Sequence, residues 1–411
     1  MSESKTAVPD AFVAEAGLAS GVDAVACGRL RAAVTDDIER RRHYGAVVLL
    51  ARRGRVILHE AFGLADSVTG RAAATTDRFM TASMGKAFTA ALVLTLIDRG
   101  ALAFDTPVSA VIPEYAVRGK APTTVGQLLN HTGGVYAGFA PPPPLTWADT
   151  FDLKKYVAGV AAQQVLAEPG SQVYYSPFAG HAVLGEIAQR VSGRSFAELM
   201  AEEIFTPLGM NKTSTGLVLD HPDRVPVRMT DHNPGATTAD IQESFNHLLD
   251  ENAAIPSGGF FTTAMDVYRF AEFQRRKGAL GGSRVLSQTM VEYGLKNSTG
   301  ERPNVFWDFS RIDRKIPFFP ANMSRFGGYV RGEGHYLTPL GQTASAGTFG
   351  AVGSGSTMYM VDPERELTFV FLGAGLSEGL GHFEDMSRLN DLALATCTSI
   401  EFDGQPLHNS A

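Results

Sequence analysis

The chain of 411 residues contains 44% hydrophobic and 19% charged residues, proportions typical of a globular protein with a large core. Its net charge of −7 and its lack of a long basic run argue against binding to nucleic acid or to an anionic membrane. The longest mainly apolar run, Ala90 to Ile97, is too short to span a bilayer. Cys27 and Cys397 are the only two cysteines and have no metal-ligand spacing, which indicates a reduced setting. The first residues are mostly polar and do not resemble a signal peptide, so we expect a cytoplasmic protein.

The first hundred residues predict a tail, two helices and a hairpin. Residues 1–20 are expected to form a loose tail, and Asp23 to Arg41 an amphipathic helix that ends in basic residues. The short apolar runs Ala46–Ala51 and Val56–Phe62 predict a hairpin of largely buried strands. The segment from Ser83 to Arg99 is almost wholly apolar at helical spacing, which indicates a central buried helix.

The middle of the chain is predicted to be mainly helical. Helices are expected over Ala182–Val191, from Ser195 to about Phe205, and over Thr263–Arg275. The segments Val225–Ile255 and Glu301–Gly341 are predicted to be irregular.

Strands return near the C-terminus. Ser356–Val361 and Leu367–Leu372 flank a polar turn and predict a second hairpin, and Met386–Cys397 predicts a closing helix. With strands at both ends and helices between them, we expect an α/β (α+β) protein with one sheet made of distant segments.

This order of elements predicts a single domain over residues 21–411. Its α/β lobe would comprise about 21–110 and 340–411, and its helical and irregular lobe about 111–339.

Ser83-Met84-Gly85-Lys86 stands at the start of the buried helix. With Ser83 as N-cap and Lys86 at N3, both side chains would lie on one face, where an amine of lowered pKa could take the serine proton. Lysine is scarce (nine residues, against 27 arginines), and so apolar a helix leaves Lys86 no obvious charged partner. The alternative is a plain capping serine beside a solvated lysine, and Ser2-Glu3-Ser4-Lys5 shows that the pattern also occurs by chance.

Two further segments are candidates for chemistry. Tyr175 could exchange a proton beside a lysine amine, or it could be a core aromatic residue. The glycine-rich run Gly347–Gly355 leads into a strand, where a backbone N–H could complete an oxyanion hole, or it could be a simple turn. The sequence contains neither the G-x-S-x-G motif of α/β-hydrolases nor the H-E-x-x-H motif of metal hydrolases. The isolated histidines are interpreted as structural, namely His131, His181 and His335.

Taken together and in this order, the three segments resemble the serine β-lactamase superfamily. The similarity is greatest to the class C β-lactamase-like group, which includes family VIII carboxylesterases and lovastatin-type acyltransferases. It covers roughly residues 25–400 and extends to further family landmarks, namely Leu128–Gly134, Pro169–Gly170, Pro207–Met210, Ser257–Phe260 and Val361–Glu364. The resemblance implies a β-lactamase/transpeptidase-like fold, with a mainly antiparallel sheet flanked by helices and a mostly helical lobe.

The resemblance also implies roles for individual residues. Ser83 would be the acylated nucleophile and Lys86 its partner in proton transfer, while Tyr175 matches the tyrosine of the family's Y-x-N motif. The backbone N–H groups of Ser83 and Ser354, next to Gly353, would form the oxyanion hole.

Two departures from the family pattern bear on the substrate. Pro177 stands where the Y-x-N motif has asparagine, and Ala351-Val352-Gly353 stands where the third motif usually reads K-T-G, H-x-G or W-G-G. The side chain that would hold a β-lactam or peptide carboxylate is therefore absent, which favours neutral esters.

We therefore expect a serine hydrolase of the family VIII carboxylesterase type that cleaves a small-molecule ester without metal or cofactor. The alternatives are an acyltransferase that uses the same acyl-enzyme, a β-lactamase or D-aminopeptidase, and a non-catalytic binding protein on a degenerate scaffold. Aromatic residues of irregular segments are candidates for a substrate pocket or for core packing, namely Tyr136, Phe139, Trp147, Trp307 and Phe318.

Overall fold

An antiparallel sheet joins the two ends of the chain. The computed structural model describes residues 21–230, 238–354 and 356–398; the predicted tail 1–20 and the second Ser-x-x-Lys tetrad lie outside these ranges. The strands in the described part are β1 (Gly45–Arg52), β2 (Arg55–Asp66), β3 (Arg71–Ala72), β4 (Phe79–Met80), β5 (Phe261–Thr262), β6 (Ala279–Leu280), β7 (Ser283–Arg284), β8 (Tyr329–Val330), β9 (Phe349–Gly353), β10 (Thr357–Asp362) and β11 (Leu367–Ala374).

The main sheet has seven strands in the order β3-β2-β1-β11-β10-β9-β8. Its centre is the pairing of β1 with β11, which runs from Gly45 opposite Ala374 to Arg52 opposite Leu367. The N-terminal and C-terminal hairpins therefore lie side by side, and this confirms the predicted sheet of distant segments. Two pairs, β4 with β5 and β6 with β7, form small separate sheets.

Helices flank the sheet and fill the middle of the chain. The α-helices are α1 (Ala24–Glu39), α2 (Lys86–Asp98), α3 (Val108–Val111), α4 (Val125–Leu129), α5 (Leu153–Ala161), α6 (Ala179–Ser192), α7 (Phe196–Leu199), α8 (Ala239–Leu248), α9 (Ala264–Arg275), α10 (Gln288–Gly294), α11 (Asp308–Asp313) and α12 (Gly379–Leu394). Short 3-10 helices cover Ala82–Gly85, Pro113–Ala116, Ala148–Phe151 and Val305–Trp307, and a π-helix covers Met200–Phe205. None of the described helices combines the length and the apolar character needed to cross a bilayer.

Both faces of the main sheet are covered, so β1 is buried along its whole length. Val47 and Leu49 belong to the core that also contains residues of α2 and α9. Val48 and Leu50 belong to the core that contains residues of α1 and α12. This division follows the alternation of side chains along a strand and explains why the strand is apolar without a polar face.

The structure differs from the sequence prediction at four places. The segment Glu301–Gly341, predicted to be irregular, contains helix α11 and strand β8, which pairs with β9 at the edge of the main sheet. Ser83 is not the N-cap of α2, because it lies inside the 3-10 helix Ala82–Gly85. Helix α8 forms within the segment that was expected to be irregular, since Ile241 and Phe245 bury one side of it. Helix α12 begins at Gly379 rather than Met386, because packing overrides the weak helix propensity of its early glycines.

Candidate active site

The 3-10 helix that carries Ser83 is fixed by segments far away in the chain. The Thr81 hydroxyl donates a hydrogen bond to the Gly258 carbonyl oxygen at 2.9 Å. The Thr357 hydroxyl on β10 donates in turn to the Thr81 carbonyl oxygen at 2.6 Å. Ala82, directly before the serine, has a φ of +43°, a backbone conformation that costs a non-glycine residue energy and that recurs at active sites. Ser83 is therefore held on a rigid, strained turn.

Lys86, the first residue of α2, contacts Ser83 directly. Its Nζ lies 3.0 Å from Ser83 Oγ, and it donates to the Pro177 carbonyl at 2.7 Å and to the Ser257 carbonyl at 3.2 Å. The side chain is 1% exposed, and none of the described carboxylates forms an ion pair with it. Burial lowers the pKa of Lys86 well below its ordinary value of 10.5. A neutral amine at this position can accept the proton of the Ser83 hydroxyl.

Tyr175 lies beside the same amine. The Lys86 Nζ is 5.1 Å from the centre of the tyrosine ring. Burial raises the pKa of Tyr175, and a hydrogen bond with Ser83 acts in the opposite direction. The hydroxyl is therefore a protonated phenol at neutral pH and can donate to a departing oxygen. The indole ring of Trp307 stacks on the phenol ring at 6.4 Å between centres and restrains its orientation.

His131 and His181 lie next to each other, so the prediction that they are isolated is wrong, whereas their interpretation as structural residues stays a prediction. Their ring centres are 5.4 Å apart, and the His131 ring lies 4.6 Å from that of Tyr175. The Ser176 backbone N–H donates to Nδ1 of His131 at 3.1 Å. Burial lowers the pKa of His131 to about 3, and the nearby Lys86 acts in the same direction. Both rings are buried, and the His131 ring packs directly against Tyr175.

The first of two cavities at Ser83 is apolar. It has an empty volume of about 510 Å³, and none of its described lining residues is charged. Its lining residues are Met80, Ala82, Ser83, Phe139, Trp147, Pro177, Phe178, Ile241, Phe245, Ile255, Ser257, Gly258, Gly259, Ser354 and Leu376.

The second cavity is larger and carries carboxylates. It has an empty volume of about 1190 Å³ and contains Asp313 and Glu378, but no lysine or arginine among its described lining residues. Its lining residues are Ser83, Phe139, Tyr175, Trp307, Phe309, Ser310, Asp313, Tyr329, Val352, Ser354, Glu378, Gly379, His382 and Phe383. Ser83 and Ser354 line both cavities, so Ser83 lies where the two cavities meet.

The end of β9 lies against the turn that bears Ser83. A Cβ atom on Gly353 would be 3.0 Å from the Met84 backbone nitrogen and would also collide with the Thr81 carbonyl oxygen. The strand can therefore approach this closely only with glycine at the position. This contact brings the backbone around Ser354 to the nucleophile; Gly355, at the end of the glycine-rich run, lies outside the described residues.

The strand presents no cationic side chain to the cavities. Val352 lines the larger cavity, whereas Ala351 packs in the core that contains α2. Within the segment aligned with the third motif, Val352 and not Ala351 therefore faces the larger cavity. Both residues are apolar.

The aromatic candidates separate into two groups. Phe139 lines both cavities, Trp147 the apolar one and Trp307 the larger one. Tyr136 lies elsewhere, and its hydroxyl donates to the Ala140 carbonyl oxygen at 3.0 Å. Phe318 is 36% exposed and packs against Tyr336.

Several lining residues were missed from the sequence. Phe245 belongs to helix α8, which was not predicted, and its hydrophobic spacing from Ile241 could have been recognised. Tyr329 and His382 reach the larger cavity from segments without a motif, so only the fold identifies them.

Comparison with known proteins identifies the family. A model of the Beta-lactamase family matches residues 30–392. The chain belongs to this family. It is 32% identical over 235 residues to penicillin-binding protein 4 of Amycolatopsis lactamdurans, a match that covers 56% of this chain and 60% of that protein. It is also 32% identical over 303 residues to esterase EstB of Burkholderia gladioli, covering 66% of this chain and 74% of EstB.

Solved structures share the fold. A penicillin-binding protein homologue from Caulobacter crescentus superimposes with a TM-score of 0.72 at 24% identity, covering 90% of this chain and 97% of the other. A family VIII carboxylesterase superimposes with a TM-score of 0.69 at 23% identity, covering 90% and 99%. The predicted β-lactamase/transpeptidase-like fold is therefore confirmed.

Proposed function

We propose that the protein is a serine hydrolase that cleaves neutral carboxylic esters through an acyl-enzyme on Ser83. The observation that carries the proposal is the 3.0 Å contact from Lys86 Nζ to Ser83 Oγ. The lysine is buried without a carboxylate partner among the described residues, which suits it to act as a neutral base. The relationship to esterase EstB is consistent with this activity.

Acylation would proceed in two steps. Lys86 takes the proton of Ser83 Oγ as the oxygen attacks the ester carbonyl carbon, and the carbonyl π electrons move to oxygen. The backbone N–H groups of Ser83 and Ser354 would stabilise this oxyanion. As the intermediate collapses, the bond to the alcohol oxygen breaks, and Tyr175 protonates the departing alcohol while the lysine ammonium reprotonates the phenol.

Deacylation would repeat the sequence with water. The neutral Lys86 accepts a proton from water as the hydroxyl attacks the acyl carbon, and collapse of the second intermediate returns Ser83 Oγ with its proton. An acceptor alcohol in place of water would give acyl transfer by the same steps.

The charges around Ser83 favour a neutral substrate. A penicillin or a peptide C-terminus carries a carboxylate. Asp313 in the lining of the larger cavity would repel it, and no lysine or arginine among the described lining residues would pair with it. An apolar acyl group fits the uncharged cavity instead. Neutral esters are therefore proposed ahead of β-lactams, although a penicillin-binding protein is among the relatives.

Labelling with a fluorophosphonate tests the nucleophile. We expect the probe to modify the wild-type protein at Ser83, Ser83→Ala to abolish both labelling and hydrolysis of p-nitrophenyl butyrate, and Ser2→Ala, in the other Ser-x-x-Lys tetrad, to retain both. Mass spectrometry of the labelled peptide locates the adduct. Absence of a label would refute the assignment and favour a binding protein, whereas a label on another serine would replace Ser83 as the nucleophile.

A substrate panel tests the class of substrate. We expect p-nitrophenyl butyrate to have a kcat/KM at least 100-fold higher than nitrocefin or a D-amino-acid amide. Faster turnover of nitrocefin or of the amide would replace the esterase proposal with that of a β-lactamase or D-aminopeptidase. In the presence of methanol, a butyrate ester formed faster than the free acid would indicate an acyltransferase.

A further inference from the structure

His382 contacts the strand end beside the proposed nucleophile. It lies in the first turn of α12, is 1% exposed and lines the larger cavity. Its Nε2 is 3.2 Å from the carbonyl oxygen of Gly353. Because a carbonyl oxygen can only accept, the imidazole must carry its proton on Nε2 and donate it to this oxygen.

The accepting carbonyl belongs to the same peptide group as the Ser354 N–H. In a trans peptide, the C=O and the N–H lie in one plane and point in opposite directions. A donor that fixes the Gly353 oxygen therefore also fixes the direction of the Ser354 N–H. Donation to the oxygen also polarises the amide, which makes its N–H a stronger donor.

The next peptide group is held from the same part of the chain. The Ser377 backbone N–H donates to the Ser354 carbonyl oxygen at 3.2 Å. The segment that enters α12 thus contacts the peptide groups on both sides of Ser354. Across the strand, a Cβ on Gly353 would meet the Met84 nitrogen at 3.0 Å, so the same backbone abuts the nucleophile turn.

We propose that His382 is a positioning residue that orients and polarises the Gly353–Ser354 peptide group, so that the Ser354 N–H can stabilise the oxyanion of the tetrahedral intermediate. This proposal rests on the proposed ester hydrolysis at Ser83 and deepens it. His382 itself touches the peptide group and does not act on the reacting atoms. No residue of β9 supplies such a contact to its own backbone, since Ala351, Val352 and Gly353 carry no polar side chain.

A neutral imidazole suits this role. Burial lowers the pKa of His382 to about 4, while the charge of Asp385 and the hydrogen bond to Gly353 act in the opposite direction. The ring is therefore uncharged at neutral pH, and it can orient the carbonyl without adding a cation to the cavity that carries Asp313 and Glu378.

The test compares three variants of the full-length protein. His382→Leu removes the donor at similar volume, and His382→Gln retains an N–H donor. Leu389→Ala, a fully buried residue of the same helix, is the control for lost packing. Removal of one direct oxyanion donor typically costs 10²–10³ in kcat, so a misoriented donor is expected to cost about 10–100-fold.

We expect His382→Leu to lower kcat/KM for an alkyl ester by about 10–100-fold and to weaken inhibition by an arylboronic acid by a similar factor. The boronate forms a tetrahedral anion on Ser83, so its affinity reports on the oxyanion site rather than on ground-state binding. KM should change less than 3-fold. His382→Gln should recover part of both losses, and Leu389→Ala should lower Tm with little change in either quantity.

Two outcomes would overturn the inference. If His382→Leu keeps kcat/KM and boronate affinity within 2-fold of wild type, the contact does not position the oxyanion donor. If Leu389→Ala and His382→Leu lose both quantities in parallel with Tm, the histidine only packs. Wild-type labelling at Ser83 and wild-type ester turnover are measured in the same series, so a failure of the proposed function would be recognised separately by their absence.

Discussion

Lys86 occupies an environment that strongly disfavours its charged form. It is buried among backbone carbonyls and the Ser83 hydroxyl, without an ion pair to a described carboxylate. In the unfolded chain the same amine is fully hydrated and keeps its ordinary pKa. Folding therefore favours release of a proton from this residue at pH values between its lowered pKa and 10.5, and the pH dependence of stability should report it.

Replacement of Lys86 by methionine should flatten the rise of stability with pH. Between the lowered folded-state pKa and 10.5, the unfolded wild-type chain binds one proton more than the native state, so the free energy of unfolding rises with pH. The contribution is up to about 1.4 kcal/mol per pH unit, and Lys86→Met lacks it. Urea unfolding from pH 7 to 9.5 measures both slopes.

A surface lysine provides the control for this measurement. Lys296 is exposed, and Lys296→Met should follow the wild-type slope. Parallel curves for the wild type and Lys86→Met would mean that Lys86 is charged in the folded state and is not the base that the mechanism requires. Ester hydrolysis should also decline as the pH falls through the pKa of Lys86, because protonation removes that base.

At the scale of elements, the site depends on the contact between β9 and the 3-10 helix Ala82–Gly85. A Cβ on Gly353 would lie 2.6 Å from the Thr357 hydroxyl and 3.0 Å from the Met84 nitrogen. The Thr357 hydroxyl is already engaged, because it donates to the Thr81 carbonyl. An added methyl group must therefore push the strand away from the turn that bears Ser83.

Gly353→Ala should lower kcat/KM for an ester at least 100-fold and reduce Tm, because the displaced strand no longer presents its backbone to the oxyanion. Gly347→Ala is the matched control in the same glycine-rich segment, since its Cβ would meet only Pro363, at 3.7 Å. Steady-state kinetics and thermal unfolding of both variants check this. Equal activity in the two variants would contradict a close contact of β9 with the nucleophile turn.

Local sequence patterns predicted some of the helices, strands and site residues, but not those that depend on long-range packing. Apolar periodicity was enough for β1, β2 and α2, because their patterns extend over many residues. The Ser-x-x-Lys spacing located Ser83 and Lys86, because both lie within one helical turn. By contrast, His382 and Tyr329 contribute to the site through long-range packing, for which one sequence has no local pattern. The 3-10 geometry at Ser83 likewise depends on Gly258 and Thr357, which are distant in the chain.

At the scale of the whole molecule, ion pairs connect α1 and α12, the first and last of the described helices. Asp37 of α1 is 1% exposed and pairs with Arg388 of α12. Arg42, which follows α1, contacts Asp37 at 3.6 Å and Asp385 of α12 at 2.6 Å. These pairs connect N-terminal and C-terminal segments of the described chain, as the pairing of β1 with β11 does. They therefore stabilise the closure of a very long loop, which carries an entropic cost.

Asp37→Asn should destabilise the protein by about 1–3 kcal/mol, because it removes the buried counter-charge of Arg388 and one of the two ion pairs of Arg42, which keeps Asp385. The side chains of Arg388 and Arg42 are 39% and 25% exposed, so water can partly compensate and the larger costs of fully buried pairs are not expected.

Asp36→Asn is the adjacent control, since Asp36 is 49% exposed and pairs only with Arg40 in its own helix among the described residues. The free energy of unfolding of this variant should stay within about 0.5 kcal/mol of that of the wild type. Urea unfolding measures the stability of both variants. Their kcat/KM should be retained, because neither aspartate lines either of the two cavities at Ser83. Equal losses of stability in the two variants would show that the link between α1 and α12 contributes no more than an ordinary surface pair.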